Sequence, residues 1–170
     1  MNREDIVKYL SLLGQRLKDR DICGEMIIVG GAVMSLVHSA REMTRDIDAL
    51  YEPKGEIAAI AQEIAEEYGL TYDWINDGVK GFISETVETE VFACFGGLKV
   101  SVATAEYMLA MKLMASRGDT HDIDDIRYLL QHMMIESAKD ALAVVECYYP
   151  QDRIPIKVVY MLEEIFGEKA

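Results

Sequence analysis

The sequence predicts an α+β protein, with a small mixed β-sheet, flanking helices and a helical C-terminal part. Apolar residues recur at helical spacing near the start, short apolar strands separated by turn residues dominate to residue 103, and helical patterns follow from residue 104 onward. We find no internal repeat, low-complexity tract or linker-like segment. We therefore expect residues 1–103 to form the α/β core and residues 104–170 a helical part packed on it.

The core elements follow from local patterns. Ile6, Leu10, Leu13 and Leu17 form an apolar stripe at helical spacing, and Asn2 is a suitable N-cap for that helix. The predicted order is a helix over 3–18, a strand at 26–29, a helix after Gly31, a strand at 46–51, a helix over 57–68, and strands at 70–75, 86–94 and 99–103. The continuously apolar strand at 26–29 is typical of a buried central strand.

Four helices are predicted in the C-terminal part. Thr104 caps the first, which runs to about Ser116, and the second extends from about Asp122 to His132. Ser137 starts the third, and Pro155 opens the fourth, which Gly167 ends.

Length and composition bound the function. One hundred and seventy residues amount to about one domain, and a 51% hydrophobic content suffices for a single core. No apolar run approaches the roughly 18 residues of a membrane span, and the first residues lack a signal peptide's apolar region. We expect a cytoplasmic protein without a membrane partner. The widely spaced Cys23, Cys94 and Cys147 indicate neither disulfides nor a zinc site, and we expect them in the core.

The net charge of −13 argues against broad binding of nucleic acid, which depends on many Lys and Arg contacts to phosphates. A polyanionic substrate would have to be held locally. Arg41, Arg45, Lys112 and Arg117 are the residues available for such a basic pocket.

The stretch from Ile27 to Tyr51 carries the candidate chemistry. An apolar strand leads into Gly30-Gly31 and a helix, and the next strand begins with Asp46 and Asp48. Because strand side chains alternate between faces, the two carboxylates project from one side, where their repulsion favours a bound cation or a shared proton. Mg²⁺ takes one or two protein carboxylates together with water and substrate phosphate, and glycines opening a helix let a phosphate approach backbone N–H groups.

This order of features resembles the nucleotidyltransferase superfamily, which includes polymerase beta, the minimal nucleotidyltransferases and the abortive-infection type toxins. Arg41, Thr44 and Arg45, just ahead of the aspartates, are similar to the toxin-like branch of that superfamily. The resemblance spans roughly residues 25 to 132, and the ordered set of motifs is more specific than any one of them. It implies the nucleotidyltransferase fold, a nucleoside triphosphate substrate and Mg²⁺, with Gly30, Gly31 and the three residues above as nucleotide-binding residues.

Two later segments extend the resemblance. A helix bearing Lys112 and an Asp-rich helix start with Asp122 and Asp125 are similar to later motifs of the toxin-like branch, which implies catalytic roles for these residues and nucleotide contact for Lys112. The residues alone leave other readings open. The Lys112 stem can lie along apolar neighbours with its ammonium in water, and acids in the first turn of a helix complement its dipole without any further function. Arg41 and Arg45 can equally relieve the repulsion between the aspartates.

Members of the superfamily usually add a third carboxylate from a later strand. Glu90 is the best candidate for this third metal ligand here, followed by Glu88 and Asp73. The resemblance implies transfer of a nucleoside monophosphate to RNA, a protein or a small molecule. It also implies that the protein could act as a toxin that is paired with an antitoxin. The alternative is a catalytically inactive module that binds nucleotide or a protein partner.

Overall fold

The computed structural model describes residues 1–78, 87–116 and 120–167. The chain divides into two compact units. The first comprises Met1–Gly81 and Thr89–Ala103, and the second comprises Phe82–Glu88 and Thr104–Ala170.

The first unit combines three helices with a five-stranded mixed sheet. Its elements are α1 (Arg3–Asp19), β1 (Gly24–Val29), α2 (Gly31–Leu36), β2 (Ile47–Glu52), α3 (Lys54–Tyr68), β3 (Ile75–Asn76), β4 (Thr89–Phe95) and β5 (Leu98–Ala103). The strand order is β3-β2-β1-β5-β4, with β1 antiparallel to β2 and parallel to β5. The predicted α+β class and mixed sheet are confirmed, and β1 is the central strand, as expected.

Helix α1 forms as its sequence predicts. Asn2 accepts a hydrogen bond from the N–H of Asp5, whose carboxylate accepts one from the N–H of Asn2, so that a capping box satisfies both donors. The apolar stripe is buried, and α1 packs on α3, β4 and β5. Gly14 allows this close approach, because a Cβ atom there would lie 1.8 Å from the carbonyl oxygen of Phe95.

The two faces of the sheet differ in burial. One face, which we call the core face, carries Met26, Ile28, Ala49, Val100 and Val102, each of which is at most 1% exposed. Residues paired across neighbouring strands share a face. Asp48 pairs with Val29 and Leu50 with Ile27, so these residues lie on the opposite face, which we call the aspartate face.

Strand β3 is much shorter than the predicted strand at 70–75. The N–H of Leu70 bonds to Ala65 at the end of α3, where Gly69 is the left-handed C-cap, and the Trp74 N–H bonds to Thr71. The Trp74 indole is buried and donates to the carbonyl of Ala61. Anchoring of the tryptophan on α3 therefore favours a turn over an extended chain. The predicted start of the next strand, Thr86, lies outside the described residues.

The second unit is helical within the part described. Its elements are α4 (Ala105–Ala115), α5 (Thr120–His132), α6 (Ala138–Tyr148), a short 3-10 helix (Gln151–Arg153) and α7 (Ile156–Gly167). Thr104 and Ser137 each cap the following helix through a side-chain oxygen, which confirms both predicted starts. Helix α4 packs on α5 and α6, and α6 on α7.

Two expectations from composition have different outcomes. Cys23, Cys94 and Cys147 are all exposed, so the prediction that they are core residues was wrong; larger apolar side chains fill the core instead. Within the described ranges, every helix is too short or too polar to cross a bilayer.

Candidate functional site

The glycine turn after β1 lies directly beside Asp48. Gly30 has φ +70°, a backbone conformation that L side chains rarely adopt. A Cβ atom at Gly30 would stand 2.8 Å from Oδ2 of Asp48, closer than real contacts allow. The antiparallel pairing of Val29 with Asp48 brings the two together. Glycine is thus required here both by backbone conformation and by the neighbouring carboxylate.

Gly31 is required for a different reason. A Cβ atom at this position would lie 2.9 Å from Oγ1 of Thr44 and 3.3 Å from Nη1 of Arg41. The segment between α2 and β2 therefore folds back over the glycine turn. The Thr44 N–H donates to the carbonyl of Met1 at 2.8 Å, which ties this segment to the start of the chain. Arg41 is half-buried, and its guanidinium is positioned beside the turn.

Asp48 lies on the aspartate face, and Asp46 lies two residues before it, just ahead of β2. Both are partly exposed, whereas Ile47 and Ala49 between and after them are 0% exposed. Thr44 Oγ1 donates to the carbonyl of Asp46 at 3.1 Å and fixes the entry to β2. The structure thus brings together Asp46, Asp48, Thr44, Arg41 and the two glycines, a set that we call the glycine–aspartate site.

Asn76 is a residue of this site that sequence reasoning missed. Its Nδ2 donates to Oδ2 of Asp46 at 3.1 Å, and β3 pairs Asn76 with Asp48. The sequence Asn-Asp-Gly after Ile75 is dominated by turn chemistry, and we assigned it to a turn. The one available signal was a polar amide directly after the apolar pair Trp74-Ile75.

The donor set of the glycine–aspartate site fits Mg²⁺. The carboxylates of Asp46, just before β2, and of Asp48, on it, are oxygen ligands of the kind that Mg²⁺ takes, with water and phosphate oxygens completing its shell. A cluster of three or more His, Cys, Asp or Glu with metal-binding geometry is absent from the described residues.

Two expected contributors to anion binding are weaker than predicted. Helix α2 has only six residues, so the charge at its N-terminus is smaller than that of a longer helix. Arg45 is exposed. The predicted basic-pocket residue Arg117 lies outside the described residues.

Glu90 is not part of the glycine–aspartate site. It lies on β4, which β5 and β1 separate from β2. Its register partner Val102 pairs in turn with Ile28 on the core face, so Glu90 points away from the aspartate face. The prediction of Glu90 as third ligand fails because the strand register sets its side. Asp73, a second choice, is in an exposed turn before β3.

Lys112, Asp122 and Asp125 meet in the second unit, in a set that we call the lysine cluster. The ammonium of Lys112 lies 3.0 Å from Oδ1 of Asp122 and 2.7 Å from Oδ2 of Asp125. The side chains of Lys112 and Asp125 are 7% and 2% exposed, and that of Asp122 is 28% exposed. Helices α4 and α5 are therefore joined by a largely buried pair of charge-assisted contacts.

The lysine cluster corrects two readings of the sequence. Lys112 does not extend its ammonium into water, because the side chain is buried against two carboxylates. Helix α5 begins at Thr120, so Asp122 is in the first turn but Asp125 is beyond it and cannot be explained by the helix dipole.

Comparisons of the chain with protein-family models, with curated proteins and with solved structures gave no match.

Proposed function

We propose that this protein is a Mg²⁺-dependent nucleotidyltransferase, which transfers a nucleoside monophosphate from a nucleoside triphosphate to an acceptor. The observation that carries the proposal is the close approach of the Asp48 carboxylate to the glycine turn. Oδ2 of Asp48 is so close to Gly30 that a Cβ atom would stand 2.8 Å from it. An ion held by the carboxylates would therefore lie within reach of a phosphate on the turn.

Each residue of the glycine–aspartate site has a role in this proposal. Asp46 and Asp48 would hold Mg²⁺, which neutralises charge on the phosphates and lowers the pKa of the attacking hydroxyl when bound. The N–H groups at Gly30 and Gly31 would donate to the terminal phosphates. Arg41, beside Gly31, would add a charge-assisted contact to the same oxygens. Asn76 holds the Asp46 carboxylate in place through its amide.

The reaction balances with water as the proton acceptor. The hydroxyl oxygen of the acceptor bonds to the α-phosphorus as the bond from that phosphorus to the β-phosphate oxygen breaks. Pyrophosphate leaves with the electron pair of the broken bond, and the hydroxyl proton passes to water. The groups of this chain bind and orient the phosphates, which is the main contribution of protein groups to phosphoryl transfer.

The proposal predicts a ligand-dependent gain in thermal stability. Mg²⁺ with a mixture of the four nucleoside triphosphates should raise the Tm, while either component alone should raise it much less. Asp48→Asn keeps the size of the side chain but removes its charge, and should abolish the shift. The matched control Asp152→Asn changes an exposed aspartate on the 3-10 helix and should keep it. An unchanged shift in Asp48→Asn would refute the proposal.

A second candidate, nucleotide binding without turnover, is favoured by the position of Glu90. With that side chain on the core face, the described part of the site supplies two carboxylates, which suffice to bind a metal–triphosphate complex. Release of pyrophosphate separates the two candidates. Ligand-dependent stabilisation without pyrophosphate release at any acceptor concentration would favour the binding module. A toxin role with an antitoxin partner stays a prediction.

A further inference from the structure

The last helix of the second unit, α7, carries apolar side chains on two sides. Val158, Leu162 and Ile165 form its buried side, and α7 packs on α6. Ile156 and Tyr160 are 65% and 64% exposed, so the described part of the chain leaves them uncovered. A helix that is apolar beyond a single stripe is normally buried on more than one side. The exposed side of α7 is therefore a candidate interaction surface.

The exposed side of α7 carries its charges in a fixed order. Lys157, Glu163 and Glu164 are exposed beside Ile156 and Tyr160. Residues three, four or seven apart lie on one side of a helix, so Lys157, Tyr160 and Glu164 are neighbours along the same stripe. We call Ile156, Lys157, Tyr160 and Glu164 the α7 stripe. It has an ammonium near the start of the helix, a tyrosine in the middle and a carboxylate near the end.

A second copy of α7 that runs antiparallel complements this order. With a two-fold axis beside Tyr160, the two Tyr160 rings meet at the centre. Lys157 lies three residues before Tyr160 and Glu164 four residues after it. Lys157 of one copy and Glu164 of the other are then about 1.5 Å apart along the helix axis, on the same side of the interface. The symmetry gives two identical ion pairs.

The order of charges favours a second copy over a partner surface of one charge sign. A uniformly basic surface would be repelled by Lys157, and a uniformly acidic one by Glu163 and Glu164. Antiparallel helices also place the positive end of one helix dipole beside the negative end of the other. The Lys157 ammonium is already held in place, because it donates to the carbonyl of Ser116 at 2.7 Å. Its other two protons remain for a carboxylate.

We infer that two copies of this chain form a dimer in which the α7 helices pair antiparallel through the α7 stripe. The 12 residues of α7 give a contact about 18 Å long. An interface of one such helix per copy is small for a protein complex, so we expect a dissociation constant of roughly 10–100 μM. The net charge of −13 on each copy opposes association, and about 0.15 M salt screens most of that repulsion. The dimer does not depend on the proposed function.

Sedimentation velocity of the full chain in about 0.15 M salt tests for the dimer. Between about 1 and about 300 μM protein, the mean sedimentation coefficient should rise from the monomer value towards the dimer value. Tyr160→Ala removes the central ring and should weaken dimerisation at least about tenfold. The matched control Tyr72→Ala truncates a tyrosine of the first unit that is 69% exposed, and should leave dimerisation unchanged.

Charge reversal tests the antiparallel arrangement. Lys157→Glu alone would bring carboxylates together between copies, and Glu164→Lys alone would bring ammonium groups together, so each variant should dimerise at least about tenfold more weakly. In an equimolar mixture of the two variants, both contacts again join an ammonium to a carboxylate, and a heterodimer of about wild-type affinity should form. Lys139→Glu reverses an exposed charge on α6 as the control and should dimerise like the wild type.

Three results would overturn the inference. They are a monomer at every protein concentration, a dimer that Tyr160→Ala leaves unchanged, and a mixture of the two charge variants that stays monomeric. Recovery in the mixture could not come from misfolding, because the same chains fail to pair when each is alone. None of these results bears on Mg²⁺-dependent triphosphate binding, which tests the proposed function separately.

Discussion

The glycine–aspartate site and the lysine cluster each contain two aspartates and a basic side chain, yet they use them differently. In the second unit, Lys112 contacts both carboxylates directly, and Asp125 is 2% exposed. In the first unit, Asp46 and Asp48 remain partly exposed beside a glycine turn. The carboxylate of Asp125 is almost completely buried in one place, whereas the carboxylates of Asp46 and Asp48 stay partly exposed in the other.

This difference teaches how burial decides what a carboxylate can do. A buried carboxylate needs a permanent partner, because the cost of removing it from water is several kcal/mol. A partly exposed carboxylate keeps part of its hydration and can exchange water for a metal ion or a ligand. We therefore assign stability first to the lysine cluster and ligand binding first to the glycine–aspartate site.

The largest expected effect comes from removing the ammonium of the lysine cluster. Lys112→Met leaves Asp125 buried without its cation, which should lower the free energy of unfolding by about 3–5 kcal/mol in chemical denaturation. The control Lys139→Met removes an exposed lysine of α6 and should change it by about 0.5 kcal/mol or less.

A neutral version of the cluster separates charge from packing. Combining Lys112→Met with Asp122→Asn and Asp125→Asn removes all three charges, and should recover most of the lost stability. If Lys112→Met alone unfolds at the wild-type denaturant concentration, the cluster does not stabilise the second unit, and the contrast between the two sites fails.

The next effect tests the packing of the glycine turn. Gly30→Ala places a methyl group against Asp48 at a positive φ, which should cost about 1–3 kcal/mol of stability. Gly55→Ala is the matched control, because nothing lies within 4 Å of a Cβ atom there and the residue is in α3. It should leave stability unchanged or raise it by up to about 1 kcal/mol. Equal effects of the two substitutions would argue against a close turn at Asp48.

Much of the architecture could be predicted from the sequence because local patterns determine it. The stripe of α1 with its Asn2 cap, the apolar run of β1 and the threonine that caps α4 all act over a few residues. The predictions that were wrong concern features that depend on contacts between residues distant in sequence. Trp74 donates to Ala61 and replaces most of a predicted strand by a turn, and no local pattern reports that bond.

The same distinction applies to the candidate site. Strand alternation alone predicts that Asp46 and Asp48 project from one side, and the structure places Asp46 just before β2. The side on which Glu90 lies depends on how β4, β5 and β1 pair, which the sequence does not reveal. Contact between Asn76 and Asp46 likewise needs the parallel pairing of β2 with β3. Spacing along the chain therefore found the carboxylate pair but not its neighbours.

A third carboxylate introduced at Asn76 should increase the affinity of the glycine–aspartate site for Mg²⁺ and so widen its difference from the lysine cluster. Asn76→Asp places a charge where an amide now contacts Asp46 at 3.1 Å, so the metal-free protein should lose about 1 kcal/mol of stability. Added Mg²⁺ should restore it, with binding about tenfold tighter than in the wild type, because ligand charge increases affinity for the ion. Titration calorimetry measures the affinity.

Gln131→Glu, an exposed change on α5, is the control and should alter neither the stability of the metal-free protein nor the Mg²⁺ affinity. Lower Mg²⁺ affinity in Asn76→Asp would contradict a metal site at this position.

The smallest expected effect concerns an ion pair on the surface of the first unit. Arg20 donates to both carboxylate oxygens of Glu63, at 2.8 and 2.7 Å, and both side chains are more than 40% exposed. The hydrogen bond from Arg20 holds the pKa of Glu63 below its ordinary value of 4.5. A lowered pKa stabilises the folded state above the unfolded value, and this contribution is lost as the pH falls.

Arg20→Ala should therefore cost about 0.5 kcal/mol at neutral pH, and the difference from the wild type should become smaller at acidic pH as Glu63 becomes protonated. A double-mutant cycle with Glu63→Gln, measured by chemical denaturation at both pH values, isolates the pair from other contacts of Arg20. The pairing chemistry is that of Lys112 with Asp125, but here water reaches both partners. A coupling of about 3 kcal/mol, as large as that expected for the buried cluster, would show that burial is not what separates the two kinds of site.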